Sequence, residues 1–228
     1  MRINLWQKLN AALAALPTYG KAVFSEGTFS ILTSLIVPSN CEIEIHGRIR
    51  VANGQSTALT ANAIIGANQI TVASASGFRI GDWVCITAKA LAVHYGNWIC
   101  DSGSITNIVG NVVTLSANFQ YNHNVADADI LASSPSALLL SGVSRVKISG
   151  GNLDGNKANA ILVYPVGYMG ATSNEEWRSN CGIAILQSTD IEVNGVYSHD
   201  WNLHNIAVGF RWTATDMRSQ RVHIRNCE

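Results

Sequence analysis

The stretch from Cys181 to Cys227 contains the same two sequence motifs twice. Gly182-Ile183-Ala184-Ile185 returns as Asn205-Ile206-Ala207-Val208, and Asp190-Ile191-Glu192-Val193-Asn194 returns as Arg221-Val222-His223-Ile224-Arg225. Self-similarity at a spacing of a few tens of residues is typical of repeat architectures. In the second motif every second residue is apolar, which is the period of a β-strand. Small or polar residues follow each copy, as in turns.

The second motif also occurs twice earlier in the chain. Glu42-Ile43-Glu44-Ile45-His46 and Arg145-Val146-Lys147-Ile148-Ser149 both match it. Short strands that are separated by turns and repeated with loops of variable length predict a β-solenoid. Its apolar side chains would point inward and its polar side chains outward. We therefore expect Lys147 to lie beside Glu192 on neighbouring strands.

Length and composition exclude several classes of protein. The 228 residues suit one domain, or one domain with an insertion. Charged residues make up 13% and the formal net charge is zero, so the chain lacks the basic face that a nucleic-acid partner requires. No apolar run is long enough for a transmembrane helix, so no membrane partner is expected.

The five cysteines are odd in number and do not have the spacing of a metal site. We interpret them as buried free thiols, which pack as small apolar side chains. One disulfide, for instance between Cys85 and Cys100, is the alternative. No cofactor and no metal are predicted.

The first residues predict a helix. Leu5, Leu9, Leu13 and Leu16 recur at helical spacing, and Pro17 ends the pattern. A helix of about residues 3–15 would cover the open end of a solenoid, whose strand edges otherwise invite pairing with other chains.

The solenoid motif is interrupted between residues 54 and 133. This part predicts short strands, including Trp83–Thr87 and a hairpin of Ile105–Val109 and Val112–Leu115 around Gly110-Asn111. We expect a small antiparallel β-barrel or sandwich inserted between solenoid turns. The predicted division is 1–53 for the cap helix and first turn, 54–133 for the insertion, and 134–228 for further turns. Terminal repeats normally need a cap, so we expect the solenoid to continue beyond Glu228 or to be covered by another chain.

Two segments carry a resemblance to a known family. Ala22–Phe29, followed by Val37-Pro38-Ser39-Asn40 and Ile43-Glu44-Ile45-His46-Gly47, resembles the first turns of the pectin-lyase-like superfamily. Ile70–Val84 is similar to the small β-domain inserted near the start of many phage tailspike β-helices. The resemblance implies a right-handed parallel β-helix, a polysaccharide partner, a homotrimer, and an extracellular or virion-associated location.

Cleavage of a polysaccharide requires acids, bases or cations gathered on one face. Hydrolysis uses two carboxyl groups about 5 to 10 Å apart, and elimination uses a base and a cationic group. Asp154 follows a predicted strand, and Asp200 could form an acid/base pair with His204, four residues later, in the same turn as His199. Ordinary turn hydrogen bonding is the alternative for each of these residues.

The loops 156–180 and 197–204 are where we expect binding and cleavage, since solenoids place function in loops. Glu175-Glu176-Trp177-Arg178 offers acids, a cation and an aromatic ring for a sugar. The predicted catalytic residues are Asp154, Glu175, Glu176, Asp200 and His204. The predicted substrate-binding residues are Trp177, Arg178, His199, Trp201 and Trp212.

Residues 180–185 and 203–209 also resemble polygalacturonase motifs, and the resemblance places the family's histidine at His204. Ser179 and Asn180 stand where that family has aspartates, and its Arg-Ile-Lys signature is absent. The sequence therefore predicts a protein that binds and degrades polysaccharide. The alternative is a non-catalytic structural or adhesion module of a virion or cell surface.

Overall fold

The computed structural model describes residues 5–88, 100–133, 135–160, 181–201, 204–209 and 219–228. These residues form strands and one α-helix, so the all-β prediction is confirmed. The helix is α1 (Leu5–Ala14). The strands are β1 (Gly20–Phe24), β2 (Thr28–Ile31), β3 (Leu35–Ile36), β4 (Cys41–Ile45), β5 (Arg48–Val51), β6 (Ser56–Ala58), β7 (Gln69–Thr71), β8 (Trp83–Ala88), β9 (Cys100–Val109), β10 (Val112–Leu115), β11 (Asp129–Ser133), β12 (Leu138–Ser141), β13 (Ser144–Ser149), β14 (Asn152–Asp154), β15 (Cys181–Leu186), β16 (Thr189–Asn194), β17 (Tyr197–His199), β18 (His204–Gly209) and β19 (Gln220–Arg225).

Thirteen of these strands form three parallel sheets. The first sheet has the order β1-β4-β13-β16-β19, the second β2-β5-β14-β17, and the third β3-β12-β15-β18. Every pairing within them is parallel. The chain visits the first, second and third sheets in turn and then repeats the cycle, so each pass adds one strand to each sheet.

The repeated motif pairs in register across the first sheet. Ile148 lies opposite Ile43 on one side and Val193 on the other, and these side chains are fully buried. Lys147 lies opposite Glu192 as predicted, and its Nζ is 3.8 Å from Glu42 Oε1 on the other side. Ile224 was expected to point inward but is 43% exposed. In the described part of the chain, β19 has a neighbour on one side only, which leaves this side chain uncovered.

In successive passes of the chain, equivalent turn positions hold a residue with a left-handed backbone conformation. At the start of the first-sheet strands these residues are Asn40, Arg145, Asp190 and Arg221, with φ between 50° and 57°. Side chains join neighbouring copies, since Arg145 Nε donates to Asn40 Oδ1 at 2.5 Å and Arg221 Nη2 donates to Asp190 Oδ2 at 2.8 Å. These bonds offset part of the cost of a left-handed backbone, which is about 1–2 kcal/mol for a residue with a Cβ atom.

The remaining strands form an antiparallel sheet between β5 and β12 in the chain. Its order is β6-β11-β8-β9-β10-β7, and it has an apolar cluster of its own that includes Ile86 and Leu131. The two ends of this order meet, because Thr60 N donates to Thr71 O and Ala73 N donates to Ala58 O, both at 2.9 Å. The predicted hairpin around Gly110 is present, with Val112 opposite Val109.

Helix α1 lies against the edge of the parallel sheets. Asn10 Oδ1 accepts from Ile36 N at 2.7 Å and Asn10 Nδ2 donates to Ser34 O at 3.0 Å, so one amide satisfies a backbone group in β3 and another just before it. Trp6 and Leu13 are buried in the same apolar cluster as the parallel strands. Leu5 was predicted to join this stripe but is 48% exposed, because Trp6 takes the inward position. No helix in the described residues is long and apolar enough to cross a membrane.

The cysteines with described side chains form no disulfide. Cys41, Cys85 and Cys181 are buried thiols, as predicted, and Cys227 is half-buried. The alternative of a disulfide between Cys85 and Cys100 is wrong, because Cys85 is not part of a disulfide. Burial raises the pKa of the Cys181 thiol to about 12, which keeps it protonated and unreactive at neutral pH.

The antiparallel sheet meets α1 at the turn that precedes β8. Gly81 packs beneath the Trp6 ring, and its carbonyl oxygen accepts from Thr33 Oγ1 at 3.0 Å. The neighbouring Asp82 is buried; its Oδ2 accepts from Arg79 N at 2.8 Å, but its Oδ1 has no partner in the described residues. Burial raises the pKa of Asp82 to about 6, against the opposing hydrogen bond and charge of Arg79.

Gly142 and Gln187 occupy equivalent positions in the turns before β13 and β16. Substitutions at these two positions test whether the turns require a residue with a left-handed backbone. Their φ values are 68° and 51°, and Gln187 Nε2 is buried without a hydrogen-bond partner in the described residues. We expect Gln187→Gly to raise the free energy of unfolding by about 1 kcal/mol, because it removes both costs. The reverse change, Gly142→Gln, should lower it by a similar amount. Urea denaturation measures both, and a stabilised Gly142→Gln would contradict the turn assignment.

Asp82 gives a prediction that depends on pH. Because folding raises its pKa, wild-type stability should fall as the pH rises from about 4, where the unfolded carboxyl titrates, to above about 6. Asp82→Asn should therefore raise the free energy of unfolding by roughly 2 kcal/mol at pH 7 and by nothing below pH 4. Melting temperatures across this range measure the effect. Glu26→Gln is the control, because Glu26 is exposed and its replacement leaves the buried Asp82 in place, so the pH dependence of stability should remain that of wild type.

Candidate functional site

The outward face of the second parallel sheet carries a group of polar side chains. Strand alternation turns Ile49 and Leu153 inward, where both are fully buried. The same alternation turns their neighbours outward. The strand register brings Arg48 beside Asn152, which lies beside Tyr197, and brings Arg50 beside Asp154, which lies beside His199. We call the outward set Arg48, Arg50, Asn152, Tyr197, His199 and Asp200 the polar patch.

Asp154 lies at the centre of this face but is itself only 1% exposed. Its Oδ1 accepts from the backbone N–H of Asn156 at 2.8 Å, which is the hydrogen bond of an Asx turn. Its Oδ2 is ion-paired with Arg48 Nη2 and lies 3.1 Å from Arg50 Nε. Both oxygens are engaged, so this carboxylate holds two arginines in place on the sheet rather than facing solvent.

The turn after β14 is fixed by the same contacts. Arg50 Nη2 donates to Asn156 Oδ1 at 2.7 Å, and Asn156 Nδ2 donates to Val51 O at 3.0 Å. Gly155 is required here, because a Cβ atom would lie 2.3 Å from Asp200 O and 2.7 Å from the Trp201 ring. The arginines thus extend from strand β5 and are held against this turn, while their side chains remain 39% exposed.

His199, Asp200 and Tyr197 form the accessible part of the polar patch. His199 Nδ1 is 2.9 Å from Asp200 Oδ2, and His199 Nε2 is 3.0 Å from Asn152 Oδ1. The Tyr197 ring stacks on the imidazole with 4.8 Å between centroids and is half-exposed. The Asp200 side chain is 64% exposed. The face thus combines an aromatic ring, an oriented imidazole and an exposed carboxylate.

Asp154, His199 and Asp200 each offer one potential ligand atom for a cation within 4.8 Å of the others. The surroundings do not suit a metal ion. Asp154 is already ion-paired with Arg48 and Arg50, and a divalent cation placed there would be repelled by both guanidinium groups at short range. We therefore assign no metal to these residues.

The other predicted site residues lie elsewhere. His204 begins β18 in the third sheet, opposite Cys181, and is exposed. Trp201 is buried, donates its indole N–H to Leu153 O at 3.2 Å and packs against Gly155, so it is part of the packing between passes and presents no ring for a sugar. Five predicted residues lie outside the described part of the chain: Glu175, Glu176, Trp177, Arg178 and Trp212.

Sequence analysis missed Arg48, Arg50, Asn152 and Tyr197. A signal was present, since Arg48-Ile49-Arg50 alternates charged and apolar residues directly after a copy of the repeated motif. That alternation places both guanidinium groups on one face of a strand. Their convergence on Asp154 depends on register between strands over a hundred residues apart.

No family model and no curated protein matches this sequence. Solved structures that are weakly similar to the chain include three phage tailspikes. The tailspike of Pseudomonas phage phi297 matches 97% of this chain at 13% identity and a TM-score of 0.35. The tailspike of Acinetobacter baumannii bacteriophage AP22, in complex with an A. baumannii capsular saccharide, matches 95% at 10% identity and a TM-score of 0.35. The tailspike of Pseudomonas phage LKA1 matches 97% at 15% identity and a TM-score of 0.31.

The chain spans 44%, 42% and 44% of the lengths of these three tailspikes. None of the comparisons shows membership of the pectin-lyase-like superfamily.

Asp154 and Asp200 provide a matched pair of substitutions. Asp154→Asn should lower the free energy of unfolding by about 3 kcal/mol, because it leaves two partly buried guanidinium groups without their counter-charge. Asp200→Asn should cost less than about 1 kcal/mol, because its carboxylate is exposed and its ion pair is screened by water. Urea denaturation of both variants measures the difference. Equal losses would contradict the role assigned to Asp154.

Proposed function

We propose that the chain forms a virion-associated, right-handed parallel β-helix that binds polysaccharide through the polar patch. The cyclic order of the three parallel sheets supports the β-helix, since each pass is one turn. Parallel crossovers are right-handed in nearly all proteins, which supports the handedness. The resemblance of Ile70–Val84 to the small β-domain inserted in many phage tailspikes supports the location and a homotrimeric assembly.

The domain division is part of the same proposal. We infer an inserted β-domain at 54–133 between a first part, 1–53, and further turns, 134–228. The separate sheet and separate apolar cluster of the middle part support these bounds.

The polar patch has the groups that a sugar ring needs. The half-exposed Tyr197 ring offers an apolar face for the C–H groups of a sugar. Arg48 and Arg50 offer N–H donors, and Asp200 offers carboxylate acceptors, for hydroxyl groups. All stand on strands or on a tight turn, so little conformational entropy is lost on binding. The Tyr197 stack on His199 is the observation that carries the proposal.

Cleavage is the finer proposal. The His199 and Asp200 pair would supply acid and base, and a second carboxyl group would come from Glu175 or Glu176, with His204 as a further base. A second candidate function is adhesion without cleavage. It is favoured by the ion pairs of Asp154, because a carboxylate that is paired with two arginines is not available as a catalytic acid or base, which leaves only Asp200 of the two neighbouring aspartates.

A panel of bacterial capsular and other polysaccharides tests the proposal. We expect binding of at least one polymer, measured by calorimetry or biolayer interferometry. New reducing ends would then indicate a hydrolase, absorbance of an unsaturated uronate would indicate a lyase, and binding without either product would indicate adhesion. Absence of binding across the panel would overturn the proposal.

Tyr197→Ala should weaken binding to any polymer so identified by roughly tenfold, because the sugar loses its stacking surface. Tyr19→Ala is the matched control, since Tyr19 is exposed but lies beside β1 in the first sheet. Affinities of wild type and both variants are to be compared at one salt concentration. Equal weakening by both substitutions would place the binding surface elsewhere.

A further inference from the structure

A second group of titratable side chains is buried in the antiparallel sheet, away from the polar patch. His123 is fully buried, and each of its ring nitrogens faces a carboxylate. Nε2 is 2.9 Å from Asp101 Oδ2, and Nδ1 is 3.1 Å from Asp129 Oδ2. The Phe119 ring meets the imidazole edge-on at 5.8 Å. We call these three residues, Asp101, His123 and Asp129, the buried histidine cluster.

The cluster joins strands that are not neighbours. Asp101 belongs to β9 and Asp129 to β11, and β8 lies between them, with Ile86 opposite Asp101 and Ala88 opposite Asp129. The imidazole of His123 therefore spans β8 from one side to the other. Its own backbone is held separately, because His123 N and O both hydrogen-bond to Ala63 at 2.8 and 2.9 Å.

Both carboxylates also organise backbone N–H groups around the imidazole. Asp101 accepts from Gln120 N at 2.9 Å and from Tyr121 N at 3.1 Å. Asp129 Oδ2 accepts from Asn124 N at 3.1 Å, while its Oδ1 is buried and has no hydrogen-bond partner in the described residues. The segment from Gln120 to Asn124 thus depends on two carboxylates whose positions are fixed by one histidine.

The arrangement requires a specific protonation state. Only the imidazolium form has two N–H donors, so only this form can donate to both carboxylates at once. A neutral imidazole would leave one carboxylate facing a ring lone pair inside the sheet, which is unfavourable for both groups. Asp127, the next acidic side chain along the chain, is turned to Asn124 Nδ2 at 2.9 Å and does not replace either carboxylate.

We propose that His123 is a proton-dependent brace that joins β9 and β11 while it is protonated and loosens the antiparallel sheet when it loses its proton. Burial alone lowers the pKa of His123, but the hydrogen bonds and charges of Asp101 and Asp129 outweigh burial and raise it above its ordinary value. The stabilisation is therefore complete below about pH 6.5, the pKa of an unfolded histidine, and is lost as the pH rises through the higher folded-state value.

Hydrogen exchange of the full chain tests the brace. The readout is the protection of the Gln120, Tyr121 and Asn124 amides between pH 6 and pH 9, corrected for the intrinsic exchange rate. In wild type, protection should fall by roughly tenfold for each pKa unit by which folding has raised the pKa of His123. His123→Gln should show low protection already at pH 6 and no further fall, because glutamine cannot carry the proton.

His223→Gln is the matched control, since His223 is exposed on β19 in the first parallel sheet. Its protection profile should equal that of wild type. An NMR titration of wild type, with His123 expected to titrate above the ordinary histidine value of about 6.5, decides the matter if His123→Gln fails to fold. The proposal is overturned if wild-type protection is the same at pH 6 and pH 9, or if His123 titrates at or below about pH 6.5.

Discussion

The constraint on which the structure depends is in-register hydrogen bonding between successive passes of the chain through three parallel sheets. Each pass copies the backbone path of the one before it, so a residue at one step lies directly beside its equivalents on neighbouring strands. Apolar equivalents such as Ile148 and Val193 then build one continuous core, because a strand that is shifted by one residue would turn its apolar side chains to solvent. The left-handed turn residues belong to the same constraint, since a turn that deviated would shift every strand after it.

Stacking also explains how a polar site can stand on a regular sheet. Equivalent outward positions hold different residues in different passes, so the register alone brings Arg50, Asp154 and His199 side by side. Burying Asp154 is costly unless its charge is compensated, and two arginines from the preceding pass do so. The same ion pairs order the arginines. The exposed part of the polar patch, which includes the Tyr197 ring stacked on His199, therefore has a fixed geometry.

Strand periodicity predicted the parts of the fold that repeat. The inward positions Val146, Ile148, Ile191 and Val193 and the pairing of Lys147 with Glu192 follow from alternation alone. The interruption of the motif also indicated a separate set of strands. Periodicity could not predict which turn residues fold inward. Trp201 follows a strand and looked accessible, but the close approach at Gly155 draws its indole between two passes. Asp154 also follows a predicted strand, which favoured an accessible side chain. Its arginine partners depend on the register between strands that are distant in the sequence, so strand periodicity could not predict them.

The register of the antiparallel sheet is fixed by other contacts than the register of the parallel sheets, and buried charge has two uses in this chain. The antiparallel sheet lacks repeated neighbours, so it has no stack of equivalent residues to fix its register. Its ends are instead held by the contacts at Thr60 and Ala73, and its middle by His123 between two carboxylates. In the parallel sheets the buried carboxylate of Asp154 is matched by arginines, whose charge does not change with pH in the physiological range. In the antiparallel sheet the matching cation is a histidine, whose charge does change. The same cost of burying a carboxylate therefore produces a permanent clamp in one part of the fold and a proton-dependent one in the other.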